Sequence, residues 1–360
     1  MDFGLSEEQA LLMDMVRRFV SKECPSTRLH QIFDSADGFD PELWRGLIEI
    51  GVGGLAIPER YGGAGLELLD LALVAEVLGE LAFPGPFLGQ ALAGIAIALA
   101  GSDAQREAWL PRIASGELLA TIALGEPGDA WDPAQAMARF HDGKLTGRKS
   151  FVPLARRADL IVVTLEGNRL GLVERAAPGV RVEAIDPVDR TRHVDAITLE
   201  SAPGELLAEP VAARVRDAGL VLLAADAFGG GWKMVEMSVA YATTREQFGQ
   251  TIAHFQAVKH RLADMALEVE PGRGLYWYAA HAFDHLPEES ERAAALAKAH
   301  LTDRFMSVSR QAVEIHGGIG FTWECDAQIW FKRALFDRAF LGNPSSQRRR
   351  LARRYGWRKD

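Results

Sequence analysis

The sequence predicts an α+β multidomain protein: an N-terminal helical domain over 1–118, a middle antiparallel β-domain over 119–208 and a C-terminal four-helix bundle over 209–360. Three observations carry this. Helix-spaced apolar residues with capping signals fill the first third. Seven short β-rich runs follow, with turn signals and no helices between them, which points to an antiparallel barrel or sandwich. From about residue 210 the helical period returns in segments long enough for a bundle. At 360 residues and 48% apolar composition, the chain can bury a large core.

In the first domain, Ser6 and Gln9 have capping-box spacing, and Leu12, Met15, Val16, Phe19 and Val20 mark one helical face behind them. Asp40-Pro41 is a second start signal, an N-cap acid followed by proline at the first helical position, with Leu43, Trp44, Leu47 and Ile48 as its apolar face. Residues 51–65 hold too many glycines for a regular element. Helical period resumes over 66–81, breaks at Phe83-Pro84-Gly85-Pro86 and resumes in two helices, the second over 103–114. The β-rich runs are 119–124, 136–140, 145–152, 159–165, 170–173, 180–185 and 196–199. Turns such as Asp142-Gly143, Glu166-Gly167-Asn168 and Pro178-Gly179 separate them. In the last domain, 211–244 reads as one long core helix, and Gly229-Gly230-Gly231 within it marks a close approach by a neighbour. Helices over 256–270 and 288–317 and a final pair complete the bundle.

Composition narrows the function. A net charge of −9 gives no global support for nucleic-acid binding. The two cysteines, Cys24 and Cys325, are far apart in sequence and suit a reducing compartment rather than a disulfide framework. The first dozen residues carry acids where a secretory signal carries bases and an apolar run, so a cytoplasmic location is expected. The most apolar stretch, 88–100, is about 13 residues against the roughly 20 that span a bilayer, and no membrane span is expected. No GxGxxG follows a strand and no GxSxG is present. His281 and His285 have metal-ligand spacing, but Ala282 replaces the glutamate of HExxH, and no metal site is expected.

The chemistry-bearing residues concentrate near the C-terminus. Arg245-Glu246-Gln247-Phe248-Gly249 is followed by His254-Phe255-Gln256, and later by Glu314-Ile315-His316-Gly317-Gly318. A helix then leads into Phe340-Leu341-Gly342-Asn343-Pro344 and a basic helix. This layout resembles the acyl-CoA dehydrogenase family over essentially the whole chain. The resemblance implies the three-part architecture, an acyl-CoA substrate and FAD. It implies that Arg245 contacts the FAD pyrophosphate, for which a guanidinium fork is suited. Phe248, Phe255, Gln256, Glu314, Gly317, Gly318 and Asn343 would lie by the cofactor and Gly342 by the substrate. Relatives often have glutamine where Glu314 stands.

The same resemblance exposes what is missing. The family takes the substrate α-proton with a carboxylate at one of two places. One corresponds to Leu341. The other, reached by counting back along the helix from Phe248, is Gly219, with Leu220 after it. Asp217, Asp226, Glu246 and Glu324 fall at neither position and read as surface or structural charges. The family's TEPGAGSD-like loop is Gly125-Glu126-Pro127-Gly128-Asp129-Ala130-Trp131-Asp132, and its KxWITN-like strand is Lys149-Ser150-Phe151-Val152-Pro153-Leu154. Pro153 has no backbone N–H to give. The short length, the GEPxxxWDP-like loop and the LGNP-like loop resemble the smaller subunits of bacterial hetero-oligomeric acyl-CoA dehydrogenases acting on steroid side chains or other bulky acyl groups. That implies α,β-desaturation of an acyl-CoA with a second dehydrogenase-like subunit supplying the base, and an electron-transfer flavoprotein as acceptor. A self-sufficient homo-oligomer with a relocated carboxylate and a non-enzymatic CoA-binding homologue stay open, and the sequence does not identify the acyl group. The basic tail, Arg348-Arg349-Arg350, Arg353-Arg354 and Arg358-Lys359, reads as a solvated or inter-subunit helix face.

Overall fold

The computed structural model describes residues 4–36 and 38–357; Arg358 and Lys359 lie outside the described residues. By contact the chain divides into two compact units. A helical unit comprises Met1–Ser26, Ala72–Phe83 and Leu220–Asp360, and a barrel unit comprises Thr27–Leu71 and Pro84–Gly219.

Helix α1 (Glu7–Glu23) opens on the expected capping box, with Ser6 Oγ accepting from Gln9 N and the Gln9 side chain accepting from Ser6 N. Its buried face is Met13, Val16 and Val20. Met15, expected inward, is exposed, because the stripe is set by the spacing from Met13 to Val16 and Val20. Helix α2 (Ser26–Asp34), absent from the sequence-based expectation, buries Leu29, Ile32 and Phe33. Helix α3 (Pro41–Glu49) starts where expected, Asp40 accepting from the N–H groups of Glu42 and Leu43. The 51–65 segment holds two 3-10 turns, Val52–Gly54 and Glu59–Tyr61. Helices α4 (Leu68–Glu80), α5 (Phe87–Ala100) and α6 (Asp103–Ala114) follow as read, and α6 carries a second capping box on Ser102 and Gln105.

Eight strands follow: β1 (Ala120–Ala123), β2 (Arg139–His141), β3 (Lys144–Pro153), β4 (Leu160–Leu165), β5 (Arg169–Glu174), β6 (Val180–Ile185), β7 (Val194–Pro203) and β8 (Glu205–Leu206). They form two four-stranded sheets, ordered β1-β4-β5-β8 and β2-β3-β7-β6. Every pairing is antiparallel except β1 with β4. Alternate residues from both sheets, among them Leu145, Val152, Ile161, Val163, Val173, Ile197 and Leu199, make one core. Between Lys149 and Val152, β3 advances one residue more than β7, a bulge that contains Phe151 at φ +58°. Bulges of this kind re-aim side chains and favour the surroundings of active sites.

Helix α7 (Ala212–Thr244) is followed by a hairpin of β9 (Glu246–Gln247) and β10 (Gln250–Thr251). Helices α8 (Gln256–Val269), α9 (Arg273–His285), α10 (Pro287–His316), α11 (Ala327–Ala339) and α12 (Pro344–Arg354) complete the chain. Helix α10 is the hub, in contact with α8, α9, α11 and α12. Helix α9 follows a 3-10 turn at Glu270–Gly272 and has no side-chain cap, so the sequence offered no separate start for it. The glycine run of α7 does what was expected. A Cβ on Gly229 would lie 1.9 Å from the Glu76 carbonyl oxygen, and one on Gly230 would lie 2.4 Å from the Phe305 ring. The contact is reciprocal, since a Cβ on Gly79 would lie 2.1 Å from the Asp226 carbonyl oxygen. Arg333 lies in the core beside them, donating to both Asp226 carboxylate oxygens at 2.8 and 2.7 Å and to the Phe83 carbonyl at 3.1 Å. Helix α7 is long and apolar enough to cross a membrane, but 89% of its apolar window is buried inside the protein.

Candidate functional site

The sequence-derived site residues fall in both units. In the helical unit, the β9–β10 hairpin turns on Phe248 and Gly249 at φ +56° and +78°. Two positive-φ residues suit a primed hairpin turn, where asparagine and glycine are the usual occupants and phenylalanine is strained. Phe248 is nevertheless 91% exposed, meeting the ring of Phe255 edge-on at 6.1 Å. Arg245, just before the hairpin, is exposed and has no ion-pair partner among the described residues. Phe255 precedes α8 and is half-buried, and Gln256 begins the helix exposed.

Helix α10 ends at His316, which is buried, stacks on Tyr241 at 4.5 Å and places Nδ1 2.7 Å from the Ala312 carbonyl. Gly317 follows at φ +65°, and a Cβ on Gly317 or Gly318 would meet nothing within 4 Å. Their backbone therefore faces open space. Glu314 is paired with Arg261 at 2.9 Å, so its charge is matched inside this chain.

Leu341 is the most informative residue of this unit. It is 1% exposed and sits at φ +58°, a conformation that costs a residue with a bulky side chain about 1–2 kcal/mol. Several bonds hold it there. Gln347 Nε2 donates to the Leu341 carbonyl at 2.8 Å, and Gly342 N donates to the Ala339 carbonyl at 3.0 Å. The fully buried Lys298 donates to the Asp337 carbonyl at 2.5 Å and lies 3.4 Å from those of Arg338 and Gly342. Burial pushes the Lys298 ammonium down to about 7 against the pull of Asp337. Asn343 accepts from Ser346 N at 3.0 Å and caps α12. A Cβ on Gly342 would lie 2.7 Å from Ser346 Oγ.

In the barrel unit, the 125–132 loop is folded onto its own strands. Gly125 bridges Ser150, and Glu126 bridges Ala130. Glu126 is buried, ion-paired with the fully buried Lys149, and accepts from Met137 N at 3.0 Å. Burial lowers the Lys149 pKa while Glu126 opposes the shift. Trp131 is 9% exposed and stacks on Phe151 at 5.8 Å. A Cβ on Gly125 would lie 2.8 Å from the Trp131 ring. Pro153 ends β3, its carbonyl accepting from Thr121 Oγ1. Gly219 is buried within α7.

None of the four acids near the family positions is a free base in a pocket. Asp217 accepts from Arg216 at 2.9 Å, and Asp226 is held by Arg333. Glu246 and Glu324 are exposed. Sequence reasoning missed Lys298 and the role of Trp131. Only the lone lysine within the alanine-rich 293–299 run hinted at the first. It also missed that Phe151, Phe248 and Leu341 all lie at positive φ. Strain of this kind persists where the surroundings over-determine it, and it gathers at functional sites.

An N-terminal acyl-CoA dehydrogenase domain model matches residues 6–117, and the C-terminal domain model matches 217–356. The chain is also 32% identical to the acyl-CoA dehydrogenase IpdE2 of Mycolicibacterium smegmatis, over 96% of this chain and 98% of that protein. The chain belongs to the acyl-CoA dehydrogenase family. Among solved members, the steroid ACAD Tcur3481-Tcur3483 superposes with a TM-score of 0.91 at 30% identity, covering 96% of this chain and 97% of that one. The ChsE4-ChsE5 complex from Mycobacterium tuberculosis superposes with a TM-score of 0.90 at 29% identity, over all of both chains. Among the described residues, four bulky ones lie at positive φ: Phe151, Leu154, Phe248 and Leu341.

Proposed function

We propose that this chain is the base-lacking subunit of a hetero-oligomeric acyl-CoA dehydrogenase, which introduces an α,β double bond into an acyl-CoA thioester. The observation that carries the reading is Leu341. At the position that the resemblance gives to the base stands a buried leucine, held at positive φ with its carbonyl bonded by Gln347 and with no carboxylate to offer. The names of two similar structures, a two-part steroid ACAD and a ChsE4-ChsE5 complex, support a pair of unlike chains and a lipid or steroid acyl group.

The cofactor is FAD. When bound, it supplies the acceptor for the hydride leaving the β-carbon. The helical unit's residues fit its pyrophosphate: an exposed guanidinium without an internal partner at Arg245, and unhindered backbone at Gly317 and Gly318. Phe248, Phe255 and Gln256 would border the cofactor, and Gly342 would border the thioester. Glu314, matched by Arg261, would sit by the cofactor without adding unbalanced charge. The α-proton goes to a carboxylate on the partner chain, because Leu341 and Gly219 have none to offer. An electron-transfer flavoprotein takes the electrons, and the complex works in the cytoplasm. Functionally the chain divides at 1–118, 119–208 and 209–360, the last segment bearing the cofactor contacts and the oligomer interface.

The test is to purify the chain alone and together with a second acyl-CoA dehydrogenase-like chain from the same genome, recording visible spectra and dye reduction with acyl-CoA. Flavin and activity are expected only in the mixed complex. Bound flavin with dye reduction by the chain alone would sink the two-chain reading.

A further inference from the structure

The barrel unit carries an aromatic slot that is already filled from within. One wall is the Gly125–Ser150 backbone bridge, and the other is the ring of Phe151 on the β3 bulge. The indole of Trp131 lies between them: 2.8 Å separates its nearest atom from where a Cβ on Gly125 would be, and its ring stacks on Phe151 at 5.8 Å and 30°. Glycine at 125 leaves room both for the Ser150 carbonyl, 2.6 Å from that Cβ position, and for the edge of the indole. The loop carrying Trp131 is secured on both sides. Glu126 N donates to the Ala130 carbonyl at 2.9 Å, and the Glu126 carboxylate is buried on Lys149. Beyond the ring, Asp132 accepts from Ala134 N at 3.1 Å and lies 3.6 Å from the buried Arg216.

We propose that residues 125–132 are an intramolecular plug, with Trp131 as its head, that closes this chain's barrel unit to a fused planar ring such as the isoalloxazine of FAD. The inference rests on the hetero-oligomer reading above and deepens it: this chain holds the phosphate end of a flavin whose ring is cradled by the partner. A planar heterocycle entering between the Gly125 backbone and the Phe151 ring would have to displace the indole. The chain supplies its own ring, and the loop is bonded to itself through Glu126 N on the Ala130 carbonyl and through the Trp131 indole N–H on Asp129. Groups already bonded within the protein do not wrap a ligand without breaking those bonds.

The experiment compares the full chain with Trp131→Ser and with the conservative Trp131→Phe, each titrated with FAD and, as a ring-free control, with ADP. Circular dichroism and melting curves establish that each variant is folded. Trp131→Ser should bind FAD at least about tenfold more tightly than the unaltered chain, with ADP affinity unchanged and with the resolved visible bands of a shielded flavin. Trp131→Phe should behave as the unaltered chain. A folded Trp131→Ser chain with unaltered FAD affinity, or with FAD and ADP strengthened equally, overturns the plug. Should Trp131→Ser not fold, flavin counting in the unaltered mixed complex decides. One flavin per pair of unlike chains is expected. Two per pair overturns the plug and leaves the hetero-oligomer standing, whereas none overturns both.

Discussion

The two sets of site residues differ in how completely they satisfy themselves. In the helical unit, the backbone at Gly249, Gly317 and Gly318 faces open space, Arg245 has no internal counter-charge among the described residues and Phe248 stands 91% exposed. In the barrel unit, Gly125 lies under Trp131, Glu126 is locked to Lys149 and Asp132 faces Arg216. The surfaces differ likewise: of the large apolar side chains that the described residues expose, all but Leu66, Met137 and Val188 lie in the helical unit. Isolated exposed apolar residues are ordinary, but a concentration of them marks a binding face. One unit is finished by its own sequence. The other reaches for something outside it.

The largest effect should come from breaking the closed set. Lys149→Met leaves the Glu126 carboxylate buried without a counter-charge, with only the Met137 N–H to bond it, and should lower stability by about 3–5 kcal/mol in urea titration. A loss below about 1 kcal/mol would mean that water already reaches Glu126, and the contrast between the units would collapse. Next comes Arg245→Ala on the open side. Melting temperature should stay put while FAD in the mixed complex binds roughly 10- to 100-fold more weakly, the value of a charge-assisted hydrogen bond. Unchanged flavin content would remove Arg245 from the cofactor site.

A third, smaller effect belongs to the barrel unit. His193 is packed against Gly38 and close to Arg156, with Arg190 and Asp186 also facing it. Burial, reinforced by the two arginines, pushes its pKa from 6.5 down to about 4. The unfolded chain therefore binds the proton more readily between these values. The stability from keeping His193 neutral is present above pH 6.5 and is lost as pH falls toward 4. Local relaxation around the protonated ring keeps the loss to about 1–2 kcal/mol. Unfolding measured across pH 4–7 should be flatter in His193→Gln, and parallel curves would contradict this account. The smallest effect reverses sign. Phe248→Asn should gain up to about 1 kcal/mol, since asparagine tolerates positive φ and a 91% exposed ring buries little. The same change should weaken assembly with the partner, read by sedimentation. A loss of stability would mean that the Phe255 contact outweighs the backbone strain.

Much of the fold was legible because its signals are local. Ser6 with Gln9, Asp40-Pro41 and Asn343-Pro344 start helices where the structure has them, and the Gly229 run marks a real close approach. Helix α9 lacks such a cap, and the parallel β1–β4 pairing depends on non-local register. Arg245, Phe248, Gly317, Gly318 and Leu341 are singled out by family spacing. Their states are not. No local pattern says that Leu341 is buried at positive φ, that Glu314 answers Arg261 or that Trp131 lies on Gly125, because each is a contact between distant or turned segments.

The reciprocal packing of Gly79 and Gly229 bears on how the protein is made. The helical unit is assembled from three separated stretches of chain, and Arg333 finds its carbonyl partner at Phe83 and its carboxylate partner at Asp226. Contacts spanning so much sequence close slowly. During synthesis α4 emerges with its glycine face bare and waits for some 150 further residues before α7 can cover it. A fragment limited to 217–356 would keep α7 but lose that surface and leave the Arg333 guanidinium short of an acceptor. The C-terminal helices are thus a folding partner for the beginning of the chain, and the protein is best produced whole.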